Sequence, residues 1–150
     1  MVRDRIEKEI VIAAPIERVW AVITEPEHVG TWFGDAGAEI DLRPGGAITF
    51  TWEQHGTHHA VVEKVDPPYF FSYRWEAPGE GGLAEGNATL VEFSLRAGED
   101  ERGTLLTVVE SGFRALPMPP EEQAKYADGN VEGWDAELAE LVTYAERLPA

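Results

Sequence analysis

The chain has 150 residues, no cysteine, and 28 Asp and Glu against 12 Lys and Arg, a formal charge of −16. Its length suits one domain that buries roughly 70% of the surface exposed by its unfolded form. The missing thiol excludes disulfides, thiol nucleophiles and zinc–thiolate sites, and the acidity argues against nucleic acid and anionic membrane, both of which need basic patches. Against that charge stand five Trp, four Tyr and six Phe, which must be gathered somewhere.

In chain order, residues 1–9 carry charges where a signal peptide would need an apolar run. No window approaches the roughly 18 uncharged apolar residues of a membrane-spanning helix, so a cytoplasmic protein without membrane insertion is expected. Residues 6–13 alternate, with Ile6, Ile10 and Ile12 on one face, and predict a strand. Pro15 stands at a helix start, where a missing N–H costs nothing. Ile16, Val19, Trp20 and Ile23 follow at helical spacing, and a short second helix after Pro26 carries His28 to Phe33.

From residue 37 to 112 the period is two. Ala38, Ile40 and Leu42 share a face, Arg43-Pro-Gly-Gly46 turns the chain, and Ile48, Phe50 and Trp52 share the next face. His55-Gly56 resembles a two-residue hairpin turn. That turn would set residue 54 opposite 57 and put His59, Val61, Glu63 and Val65 on the face of Trp52. After the Asp66-Pro-Pro68 turn, Phe71, Tyr73 and Trp75 alternate, then Val91, Phe93 and Leu95, then Thr104, Leu106, Val108 and Glu110. Val131, Trp134, Leu138, Leu141, Ala145 and Leu148 form the apolar stripe of a long C-terminal helix. Its opposite face, with Glu132, Asp135, Glu137, Glu140 and Glu146, reads as solvated.

The expected layout is α+β: one strand, two short helices, six further strands pairing in sequence order, and a long helix against one sheet face. The inward face is large-ringed, with Phe50, Trp52, Phe71, Tyr73, Trp75 and Phe93. Such rings either fill a thick core or line a cavity, since ligand sites are mostly apolar walls with a few inward polar groups. The polar groups expected inward are His59, Glu63, Tyr73 and Glu110.

These pieces resemble the START-like (SRPBCC, helix-grip) superfamily, in the branch named for the C-terminal domain of the activator of heat-shock protein 90 ATPase. The resemblance rests on Ala14-Pro-Ile-Glu-Arg-Val-Trp20, Trp32-Phe33, Arg43-Pro-Gly-Gly46, Val65-Asp-Pro-Pro68 with Phe71 to Trp75, the strand from Gly103 to Phe113, and Gly133-Trp134 with Leu138, Leu141 and Tyr144. Together they span about residues 5–147 in the family's order. The resemblance implies a seven-stranded antiparallel sheet curled around the C-terminal helix with a cavity between them. The implied functions are carriers of hydrophobic ligands, cyclases and co-chaperone domains. Many members carry His where this chain has Glu110, and 150 residues leave no room for the co-chaperone's separate N-terminal domain.

The leading expectation is a cavity for a small hydrophobic, aromatic or lipid-like ligand, formed by Trp32, Phe50, Trp52, Phe71, Tyr73, Trp75 and Phe93, with Glu110, Trp134 and Leu138. Entry would be gated by residues 78–86 and 112–119. A second reading is a cyclase- or hydrolase-type enzyme moving protons with Glu110 and His59, Glu63 or Tyr73. A third is a partner of heat-shock protein 90. A homodimer stays open. No phosphate-cradling or dinucleotide motif is present, so no cofactor is expected. No metal is expected either, because His58 and His59 point to opposite sheet faces.

Overall fold

The computed structural model describes residues 2–54, 56–78, 86–98 and 102–148. The elements run β1 (Arg5–Ile12), α1 (Ile16–Thr24), α2 (Pro26–Trp32), β2 (Ala38–Ile40), β3 (Ala47–Trp52), β4 (Gly56–Asp66), β5 (Phe70–Glu76), β6 (Ala88–Ala97), β7 (Thr104–Ser111) and α3 (Pro120–Arg147). The strands form one seven-stranded antiparallel sheet in the order β1-β7-β6-β5-β4-β3-β2. Strands β2 to β7 therefore pair with their chain neighbours, and β1 closes onto β7. This is the α+β helix-grip layout expected from the sequence, with α3 across the concave face. Among the described residues no helix is long and apolar enough to cross a membrane.

Alternation places the core. Ile6 and Ile12 of β1, Leu106 and Val108 of β7, Val91, Phe93 and Leu95 of β6, and Phe71 and Tyr73 of β5 are all buried. They meet the stripe Trp134, Leu138, Leu141 and Ala145 of α3. Side chains tie the layers together: Lys8 Nζ lies 2.9 Å from Asp135 on α3, and Trp32 Nε1 donates to the Val22 carbonyl at 2.7 Å, docking α2 on α1. Gln123 Nε2 donates to the carbonyls of Arg114 (3.1 Å) and Leu116 (3.0 Å). This pins the 3-10 turn Phe113–Ala115 to the first turn of α3.

The β3–β4 hairpin differs from expectation. Trp52 pairs with Gly56, Phe50 with His58 and Ile48 with Ala60. The expected turn would have set Trp52 opposite His59, three residues away. An odd displacement moves every following side chain to the other face. His58, Ala60 and Val62 therefore face inward, and His59, Val61 and Glu63 face outward. Gly56 has φ 78°, so the glycine closes the connection rather than sitting at its centre; His55 lies outside the described residues. A bulge between Val62 and Lys64 then resets the alternation, and Val65 returns to the inward face opposite Phe71. Leu42, expected on the face of Ala38 and Ile40, falls beyond β2 and is exposed.

Candidate functional site

At the β6–β7 end of the concave face a carboxylate is enclosed. Glu110 is 0% exposed and sits in register with Ile6 on β1 and Val91 on β6. Thr89 Oγ1 donates to it from β6. Trp134 Nε1 donates at 2.9 Å, and Asn130 Nδ2 reaches both carboxylate oxygens at 3.0 and 3.2 Å. Asn130 and Trp134 are one helical turn apart, so α3 presents both donors to the same group. Burial pushes the Glu110 pKa up, and the bonds from Thr89, Trp134 and Asn130 act against that shift. Burial, then the neighbouring Glu110, raises the phenols of Tyr73 and Tyr126. All three partners of Glu110 are donors, which an acceptor-only carboxylate satisfies. Glu110 is thus the post to which α3 is tied.

Above this post opens a cavity of about 580 Å³, within the range of roughly 300–1,000 Å³ usual for ligand sites. Its apolar walls are Phe33, Trp52, Trp75, Trp134 and Tyr126; His58, Lys125, Asn130 and Glu137 supply the polar groups. Phe33 is the hub of the wall. Its ring lies 5.1 Å from Trp52, 5.7 Å from Trp75 and 5.8 Å from Trp134, stacked on the last. The side toward solvent is formed by Gly129 and Gly133 on α3. A Cβ at either would meet nothing within 4 Å. Glycine inside a helix costs about 1 kcal/mol relative to Ala, and here no close backbone approach requires it. What the two glycines do is leave the mouth unobstructed.

Glu137 corrects the reading of the helix's polar face. Instead of lying free in solvent, it borders the cavity half-buried. Its Oε2 is buried without a hydrogen-bond partner among the described residues, as is Trp75 Nε1 on the same wall. Burial, then Glu140 and Asp35, pushes the Glu137 pKa up to about 7. The sign of the linkage follows. A carboxyl whose folded pKa exceeds its unfolded value is unpenalised below about pH 4.5 and loses stability as pH rises toward 7. Glu137→Gln is therefore expected to match the parent near pH 4 and to be about 1 kcal/mol more stable at pH 8, after allowing for solvent screening. Urea unfolding at the two pH values measures this, and equal stability at pH 8 would contradict it.

The structure sorts the remaining residues of the expected site. Trp52, Trp75 and Trp134 border the cavity, and Glu110 lies beneath it. Phe50, Phe71, Tyr73 and Phe93, with Trp32, instead surround a void of only about 10 Å³, about the size of one water. They are packed core, and so is Leu138. The open volume is therefore at one end of the grip, not along its centre. His59 and Glu63 do not enter the cavity, because the β3–β4 register turns them outward. Glu63 instead pairs with Arg74 across the outer face at 2.9 Å. This pair is half-exposed, so Glu63→Ala should cost under about 0.5 kcal/mol. Segment 112–119 does not border the cavity: Phe113 and Leu116 are buried and held by Gln123. The expected gate at 78–86 falls almost entirely outside the described residues.

Phe33, His58, Lys125, Tyr126, Asn130 and Glu137, with Gly129 and Gly133, complete the site without having been expected there. The spacing of Tyr126, Asn130, Gly133 and Glu137 along one helical face carried that signal, alongside the apolar stripe. Two other features are less suited to a ligand. A trough of about 840 Å³ between the ends of β1, β6 and β7 has no aromatic wall. Glu25, Glu27 and His28 come together on α2, but both carboxylates are exposed and His28 Nδ1 is engaged by Tyr144 Oη at 2.6 Å.

A curled antiparallel sheet gripping a C-terminal helix defines the START-like, helix-grip class. The sequence model described as activator of Hsp90 ATPase homolog 1-like protein matches residues 13–146, and the chain belongs to that family. Among solved structures, protein MLL2253 from Mesorhizobium loti superposes with a TM-score of 0.80 at 22% identity, over 97% of this chain and 99% of that one. The Aha1 dimer from Colwellia psychrerythraea gives 0.73 at 18%, over 97% and 98%. DynU16, from the dynemicin biosynthetic locus, gives 0.76 at 23%, over 97% of this chain but 48% of its own. At these identities the likeness is one of fold. A search of curated proteins finds no match.

Proposed function

We propose that the protein binds a small ligand with an apolar, aromatic-compatible body in the cleft between β3–β5 and α3. The observation that carries this reading is the cavity of about 580 Å³ walled by Phe33, Trp52, Trp75, Tyr126 and Trp134. Rings buried only for packing would close on one another, as those around the void of about 10 Å³ do. Here two helix glycines hold the mouth open. The buried Glu110, its acceptors fully engaged, supports a scaffolding role for that residue rather than proton transfer to the ligand. Native mass spectrometry of the protein purified from its own host tests the reading directly. A retained small-molecule mass that is lost in Gly133→Leu is the expected result. An identical mass in both proteins would place any ligand elsewhere.

The family match supports a second reading, stimulation of a heat-shock protein 90 ATPase. That activity would use a surface, so it should survive Gly133→Leu. A pull-down with the chaperone's middle domain and an ATPase assay decide it; no capture and no stimulation remove it.

A further inference from the structure

We infer that the cleft selects organic cations, namely protonated amines carried on an apolar or aromatic body, with Glu137 as the residue that receives the ammonium group. This rests on the ligand-binding reading and names its substrate class. The first ground is an unsatisfied hydrogen-bond acceptor in the wall. Glu137 Oε2 is buried without a donor among the described residues, and an unpaired buried carboxylate oxygen is among the more expensive things a fold can keep. A ligand N–H⁺ is the group that satisfies it, with a charge-assisted bond roughly twice as strong as a neutral one.

The second ground is the wall around that oxygen. The rings of Trp52, Trp75 and Trp134, with Phe33 and Tyr126, line the same space. Aromatic faces attract cations, and the attraction grows when the cation is desolvated. The third ground is the field. Glu140 and Asp35 lie close enough to Glu137 to raise its pKa, and Glu110 does the same to Tyr126. Lys125 is the opposing charge at the rim, exposed to solvent and so screened. His58, on β4, is the remaining titratable group of the wall. A neutral ligand gains nothing from this field and an anion is repelled by it. An ammonium is drawn in, and on arrival it neutralises the carboxylate that burial and its acidic neighbours penalise.

Three probes of one shape separate the possibilities: 3-phenylpropylamine, 3-phenylpropan-1-ol and 3-phenylpropanoate. They are protonated, neutral and anionic at pH 7.5, and quenching of the tryptophans that line the cleft reports binding. The amine is expected to bind at least tenfold more tightly than the alcohol, and the acid not measurably. In Glu137→Gln the amine should lose about tenfold while the alcohol stays within twofold. Because that variant is expected to be as stable as its parent or more so, the loss cannot be unfolding; a urea melt on the same sample checks this. Equal affinities for amine and alcohol, or a preference unaltered in Glu137→Gln, would overturn the cation assignment and leave the ligand cleft standing. Failure of all three probes to bind would overturn both.

Discussion

Glu110→Ala is expected to lower the free energy of unfolding by about 3–5 kcal/mol, the scale for breaking a buried charged hydrogen-bond network. The substitution leaves Trp134 Nε1 and Thr89 Oγ1 buried without an acceptor and removes one end of the bridge from β7 to Asn130. Each stranded donor costs about 1–3 kcal/mol, and the vacated volume adds a cavity term. Glu110→Gln keeps the shape and one acceptor oxygen but turns an amide toward a donor, so a smaller loss of about 1–2 kcal/mol is expected. Urea unfolding gives both values as shifts in midpoint at constant slope. A loss below about 1 kcal/mol for the Ala variant would show that the donors find other partners and that Glu110 does not anchor α3. Loss of this size matters because total stabilities run only about 5–15 kcal/mol.

Gly133→Leu should have the opposite profile: little effect on stability and a large one on binding. The first side-chain atom meets nothing within 4 Å, and Leu is the better helix former by roughly 0.8 kcal/mol. The variant should therefore unfold at an unchanged or slightly higher midpoint. The branched end of the side chain, however, extends over the cavity mouth beside Trp134. Any ligand seated among Trp52, Trp75 and Trp134 must then give up contact or be excluded, and affinity for 3-phenylpropylamine should fall at least tenfold. Tryptophan quenching measures the affinity, and circular dichroism confirms the helix. Unchanged affinity would mean that the ligand does not sit in this cleft. Gly129→Leu, one turn earlier on the same face, provides an independent repeat.

The two variants illustrate how the site is paid for. Glycines in a helix, a carboxyl held near pH 7 and two polar atoms without partners each reduce stability where ligand chemistry would use them. Substitutions that repair them, such as Glu137→Gln, are expected to stabilise the protein and impair binding, the usual relation between strained sites and function.

Much of the architecture was legible because periodicity states which side chains share a face. Ile48 with Phe50, Phe71 with Tyr73, and Leu106 with Val108 and Glu110 needed only alternation to be placed together. The stripe Trp134, Leu138, Leu141 and Ala145 needed only helical spacing. The site was legible in part. Trp52, Trp75 and Trp134 stood out as rings and do border the cavity, while Phe50, Phe71, Tyr73 and Phe93 had the same pattern and form packed core. Nothing in alternation separates those groups. The difference is where they lie along the strands relative to Gly129 and Gly133 of a helix far away in sequence.

By itself, then, the sequence determined the periods, the order of elements and the charge of the outer surface, since each is a local property of residue type and spacing. The tertiary structure alone decided three things. The pairing of Trp52 with Gly56 turned His59 and Glu63 out of the site, because one odd shift at a hairpin inverts a whole strand. The bulge after Val62 returned Val65 to the core. The packing of α3 on the sheet drew Glu137 from an apparently solvated helix face into an aromatic wall, because whether a side chain at the edge of a helix stripe meets water or protein depends on what its neighbours bring against it.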